Sequence, residues 1–123
     1  MKKIIYTKNA PEPVGPYSQA ILFDNVLYCS GQIGINPETN SIVNGGVEEE
    51  TKQIIKNIEA VLKEAGFDFS NVIKTTCFLE DMNDFAKFNE IYSNAFISKP
   101  ARSCVQAKLP KNAKVEIEII AGK

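Results

Sequence analysis

The rhythm of apolar positions changes several times along the chain, and each change marks an element. Ile4–Tyr6 is a short apolar segment suited to an edge strand. The stretch APEPVGPYSQA follows, and Pro11, Pro13, Gly15 and Pro16 preclude helix and predict an ordered loop. Ser18–Phe23 and Val26–Ser30 flank the polar pair Asp24-Asn25 and read as a hairpin. GQIGINPETNSIVNGG reads as a loop with turns at Asn36-Pro37 and Asn44-Gly45-Gly46.

From Val47 to Ala65 the period becomes helical. Ile54, Ile58, Val61, Leu62 and Ala65 fall on one face. Glu48, Glu49 and Glu50 crowd the first turn, where the helix dipole favours anions, and Gly66 supplies the stop. Val72–Leu79 is β-branched and apolar, hence a strand. A second helix is capped near Asp81 or Asn83, presents Phe85, Phe88, Tyr92 and Ala95 on one face, and ends at Ser98-Lys99-Pro100. Ser103–Ala107 and Lys114–Ala121 read as two more strands. The order β-β-β-α-β-α-β-β predicts one α+β domain over residues 1–123, with two helices on one face of a mainly antiparallel sheet of about six strands. Ile21, Phe23, Leu27, Cys29, Ile73, Cys77 and Ile119 are more than one helix layer hides, so an oligomer is expected to cover the other face.

Composition narrows the chemistry. The chain carries 14 basic and 15 acidic residues, a net charge of −1, which gives no electrostatic case for nucleic acid or an anionic membrane as partner. The apolar run at the N-terminus stops after Tyr6, too short for a signal peptide or membrane helix. There is no histidine, which excludes Ser-His-Asp and Cys-His mechanisms and a His-bound metal. The three cysteines, at 29, 77 and 104, form no C-x-x-C pair and argue for reduced thiols in the cytoplasm.

Several residues could carry function. Arg102, in PARSC, is on spacing alone first an ion-pair residue across the sheet. The alternative is a guanidinium fork that grips a carboxylate. Glu116 and Glu118 share one face of a strand in KVEIEII, either as a solvated face or with one of them positioning a water or acting as general base. Ser30-Gly31 ends a strand with a hydroxyl and a site of close backbone approach, or is a plain strand-to-turn transition. Tyr17 covers the core edge or faces a site. Cys104 has no histidine to activate it and reads as a packed side chain.

As a set, GPYSQA (15–20), YCSGQIG (28–34), VIKTTCFLEDMNDFAKFNEIY (72–92), PARSCV (100–105) and LPKNAKVEIEIIA (109–121) resemble the RidA (YjgF) family of imine and enamine deaminases. The resemblance spans nearly the whole chain. It implies a chorismate-mutase-like fold, and a homotrimer whose sheets form a central barrel with clefts between subunits. It also implies hydrolysis of 2-iminopropanoate and 2-iminobutanoate to 2-keto acids and ammonia without cofactor or metal. By the same resemblance Arg102 grips the substrate carboxylate, Glu116 orients or deprotonates the water, and the backbone carbonyl of Cys104 helps hold it. Tyr17, Ser30, Gly31 and Asn89 line the cleft, and Tyr17 or Ser30 relays a proton to an enamine carbon. Other readings are a trimeric keto-acid-binding regulatory protein of the same fold and, further off, a ribonuclease or translation inhibitor. Two departures stand out. The link from Tyr92 to Pro100 is about four residues short, and the run from Cys104 to Pro110 one residue short. Unless the Pro110 loop absorbs the second, Glu118 takes the place of Glu116.

Overall fold

A computed structural model describes residues 1–123. The strands are β1 (Lys2–Ile5), β2 (Ala20–Phe23), β3 (Val26–Cys29), β4 (Gln32–Ile33), β5 (Ile35–Asn36) and β6 (Ser41–Ile42), then β7 (Val72–Leu79), β8 (Ala101–Gln106) and β9 (Val115–Gly122). Helix α1 spans Gly46–Glu64 and α2 spans Phe85–Ala95. The main sheet runs β1-β2-β3-β9-β7-β8, with β4 also paired to β9, and β5–β6 form a separate small hairpin. Every pairing in the main sheet is antiparallel except β7–β8, whose parallel register needs the α2 crossover. The α+β expectation holds, with seven strands rather than six.

Both helices cover one face. On α1, Val47, Ile54, Ile58, Val61 and Leu62 are buried, as the helical period predicts. The helix stops where Gly66 takes φ 81°, with Gly66 N donating to Lys63 O and Phe67 N to Leu62 O, a complete Schellman motif. Beneath the helices lie Leu27, Thr75, Cys77, Leu79, Ile117, Ile119 and Ala121, together with Phe88 and Tyr92 of α2. Phe88 is fully buried, and truncating it to alanine would cost about 3–5 kcal/mol.

The opposite face is uncovered and carries a continuous apolar row. One row crosses it as Ile4, Ile21, Tyr28 and Ile120, which are cross-strand partners in β1, β2, β3 and β9. Phe23, Tyr28, Ile73 and Val105 are each about half exposed. Of the apolar residues counted from the sequence as more than one helix layer hides, Leu27, Cys77 and Ile119 lie under the helices, Cys29 packs against the same core, and Ile21, Phe23 and Ile73 are left over. Strand parity divides them, because each residue under the helices alternates with an open-face neighbour. No helix is long and apolar enough to cross a membrane.

Other boundaries differ for local reasons. The stretch expected to be a loop contains β4, β5 and β6, too short to show a period of two. The second helix ends at Ala95 rather than Ser98, because Phe96 turns inward to stack on Tyr92 at 4.4 Å and meet Phe69 edge-on at 5.2 Å. Of the three glutamates expected in the first turn of α1, Glu48 and Glu49 lie there and Glu50 follows it. Glu50 is buried, and its Oε1 accepts a 2.8 Å hydrogen bond from the Lys114 amide, tying α1 to the entry of β9.

Candidate active site

Two places gather the candidate residues. The first is built on β9. β3 pairs with the C-terminal part of β9 and β4 with its N-terminal part, so Ser30 and Gly31 fill the break between them. Glu116 on β9 faces this break. A Cβ at Gly31 would overlap Glu116 Oε2 and lie 2.8 Å from its Cδ, so only glycine leaves the carboxylate its place. Tyr17, Ser30, Gly31, Ile33, Lys111 and Glu116 are among the lining of a cleft of about 450 Å³. Ser30 Oγ donates to Ser18 O at 2.6 Å, which commits its proton and leaves its lone pairs free to accept. Tyr17 is half exposed, and its hydroxyl accepts a 3.4 Å bond from the Val14 amide.

Glu116 is half-buried, and burial first and the neighbouring Glu118 carboxylate second push its pKa above the usual carboxylate range. Both carboxylates share the open face, but Glu118 is exposed and pairs across to Thr76, away from the break. The turn that leads into β9 lies at Pro110–Asn112, where Lys111 and Asn112 both take φ 57°. β9 alternation is intact, so Glu116 is the carboxylate in the cleft.

The second place is on the helix-covered face at the sheet edge. Arg102 on β8 is in register with Thr75 of β7. Its Nη1 donates to Asn89 Oδ1 at 2.7 Å, and its guanidinium carbon lies 4.8 Å from the Tyr92 ring centre and 5.5 Å from that of Phe85. The chain's ion pairs are Met1–Asp24 and Lys52–Glu49, so no carboxylate pairs with Arg102 within 4.0 Å. The ion-pair reading of this arginine is therefore wrong. Arg102 and Asn89 line a second hollow of about 410 Å³ with Phe96, Ile97, Lys99 and Pro100.

The two places do not meet in one chain. Thr75, Arg102 and Ile119 share the helix face, whereas Phe78, Val105 and Glu116 share the open face. The structure thus brings Tyr17, Ser30, Gly31 and Glu116 together, and Arg102 with Asn89, as two half-sites with no lining residue in common. Cys104 lies on β8 beside Arg102, on an edge strand paired on one side only. Its thiol is pushed up by burial, with Arg102 opposing, which favours the unreactive neutral form.

Sequence reasoning missed the clamp behind the first half-site. Buried Gln19 accepts from the Thr7 amide at 2.7 Å and donates to Thr7 O and Pro11 O at 2.9 Å each, which pins the proline loop as a wall. A glutamine next to GPYS carried no periodic signal. It also missed that Tyr92 and Phe85 face the guanidinium, although their spacing was visible.

Residues 7–123 match the family model described as Endoribonuclease L-PSP. The chain is 52% identical over 125 residues to a RutC family protein of Pyrococcus horikoshii, covering all of this chain and 99% of that one. It is 51% identical over 123 residues to the human protein named 2-iminobutanoate/2-iminopropanoate deaminase, covering 98% and 90% of the two. Among solved structures, a Rid family protein of Yersinia pestis superposes with a TM-score of 0.96 at 49% identity over the full length of both chains. The E. coli protein TdcF with bound serine does so with a TM-score of 0.93 at 40% identity, covering 98% of each.

Proposed function

The chain belongs to the Endoribonuclease L-PSP (YjgF/RidA) family, and we propose that it hydrolyses small 2-imino acids to 2-keto acids and ammonia. The observation that carries this is the free guanidinium of Arg102, held by neutral groups at the sheet edge with no carboxylate of its own. Such a fork binds a planar carboxylate through two parallel hydrogen bonds. A serine bound to TdcF, a relative of the same fold, supports an amino-acid-sized ligand.

The chemistry asks little of the protein. An iminium carbon is already electrophilic, so the site has to orient substrate and water and exclude side reactions. Orientation of this kind can lower a barrier by about 7–11 kcal/mol at best. In our reading Arg102 holds the α-carboxylate. Glu116 takes a proton from a water as its oxygen bonds to the imine carbon, and the Cys104 carbonyl helps hold that water. The resulting carbinolamine takes that proton back on its nitrogen and loses ammonia, the C–N bond breaking as the C=O bond forms and the hydroxyl proton passing to the Glu116 carboxylate and on to solvent. A carboxyl whose pKa is raised toward neutrality can both accept the first proton and return it to the leaving nitrogen. Tyr17 and Ser30 lie in the same cleft to relay a proton when the substrate arrives as an enamine.

Because the half-sites lie on opposite faces, the working cleft is proposed to form between copies, in a trimer that also covers the open sheet face. The test generates 2-iminobutanoate in situ and follows 2-oxobutanoate. Arg102→Ala and Glu116→Gln are each expected to lose turnover. Unfolded together in equal amounts and reassembled, they should recover about a quarter of wild-type activity, because that share of the clefts unites two intact halves. No acceleration by the wild-type protein would sink the deaminase reading. Binding of 2-oxobutanoate without acceleration would favour a regulatory role, and no recovery on mixing would sink the shared cleft.

A further inference from the structure

Phe85, Asn89 and Tyr92 stand at i, i+4 and i+7 on α2, one stripe of the helix, and all three meet the same group, the Arg102 guanidinium. Aromatic faces and an amide oxygen hold it, and each is neutral. The stripe is itself braced. The Tyr92 hydroxyl shares a 2.7 Å hydrogen bond with Thr75 Oγ1, on the β7 residue in register with Arg102, and its ring stacks on Phe96 at 4.4 Å.

We infer that Phe85, Asn89 and Tyr92 are positioning residues that fix the Arg102 fork without neutralising its charge. The inference rests on the reading of Arg102 as the carboxylate grip. Two physical consequences follow from the arrangement. An arginine held by Asp or Glu would have to share or surrender that partner when a ligand carboxylate arrived, whereas this one keeps its full charge for the ligand. A long side chain already ordered between two rings also loses less rotamer freedom on binding. Asn89 is therefore assigned to Arg102 rather than to the substrate, since its carbonyl oxygen is already committed.

The decisive variant is Asn89→Asp, which swaps the amide for a carboxylate of the same shape at hydrogen-bond distance from Nη1. The measurements are KM and kcat for 2-iminobutanoate made in situ, the Kd of 2-oxobutanoate, and the Tm of the full chain. We expect KM and Kd to rise about tenfold or more, kcat to change by less than about threefold, and Tm to hold or rise because an ion pair has formed. Phe85→Leu, at a part-buried position, should raise KM by about threefold through loss of one ring face. A merely structural stripe would give the opposite signature, with Tm falling and KM and Kd within about twofold of wild type, and that result overturns the inference. Arg102→Ala separates the levels. If it binds 2-oxobutanoate as well as wild type, the grip itself is wrong. If it loses binding while Asn89→Asp keeps wild-type Kd, the positioning role alone fails.

Discussion

Gly31→Ala isolates the position of the Glu116 carboxylate from the stability of the fold. The added Cβ would overlap Oε2 and sit 2.8 Å from Cδ, so the carboxylate has to retreat until the contact is ordinary. That displaces the acid oxygen by about 1 Å or more, and a misplacement of that size costs on the order of a hundredfold in rate. The obstacle is the far end of a flexible side chain, and the Gly31 backbone is not in the left-handed region. The structural cost is therefore only a rotamer change, of order 1 kcal/mol. The expected result is a roughly hundredfold fall in kcat for 2-iminobutanoate hydrolysis, with a far-ultraviolet spectrum and a Tm close to wild type. Wild-type kcat in Gly31→Ala would refute the placement of Glu116 as the group acting on water. A collapse of Tm with proportional loss of activity would refute the claim that this glycine serves the carboxylate rather than the fold.

Gly34→Ala should do the reverse, because its Cβ would meet the Cα of Glu50, helix backbone that cannot yield, at 2.8 Å. Overpacking of that kind costs about 1–3 kcal/mol, seen as a Tm lower by several degrees with kcat per folded chain unchanged. Glu118→Gln removes the second cause of the raised Glu116 pKa, so the acid limb of the kcat/KM profile should move to lower pH yet stay above the ordinary glutamate value of about 4.3. A limb that does not move would show that Glu116 is not the titrating group. Glu116→Gln should stabilise the chain at neutral pH while removing turnover. The folded state binds this proton more tightly than the unfolded state, so stability falls as pH rises from about 4.3 through the raised folded value, and the Tm gain should shrink at pH 4. Cys104→Ser should keep kcat within about threefold of wild type, since burial holds the thiol neutral and no step uses it.

Much of this was legible in the chain because long periodic segments announce themselves. The α1 stripe, β7, the aromatic face of α2 and the alternation of KVEIEII all appear as read. The failures are short or tertiary. Two-residue strands such as β4 cannot display a period, although β4 and the Ser30-Gly31 break are what bring Glu116 into a cleft. Phe96 ends α2 early because packing against Tyr92 and Phe69 outweighs continued helix. Glu50 looks like a dipole-favoured surface anion in sequence, and only the distant Lys114 amide, 64 residues on, explains its burial.

The deepest limit concerns Arg102 and Glu116. Period two says that Arg102 and Cys104 share a face of β8, and that Glu116 and Glu118 share a face of β9. It cannot say whether those are the same face, because that depends on register across β7, which lies between them. The register sets Arg102 opposite Thr75 and Glu116 opposite Phe78, three residues apart on β7 and thus of opposite parity. Two groups that a single chain holds on opposite faces of one sheet cannot close on one small substrate by side-chain motion. They can do so only if the open face of one copy meets the edge strand of another, and the uncovered apolar row from Ile4 to Ile120 supplies a reason for the copies to associate. On the proposed roles of Arg102 and Glu116, the same parity that hides the site from sequence makes assembly of copies a condition of the chemistry rather than an accessory to it.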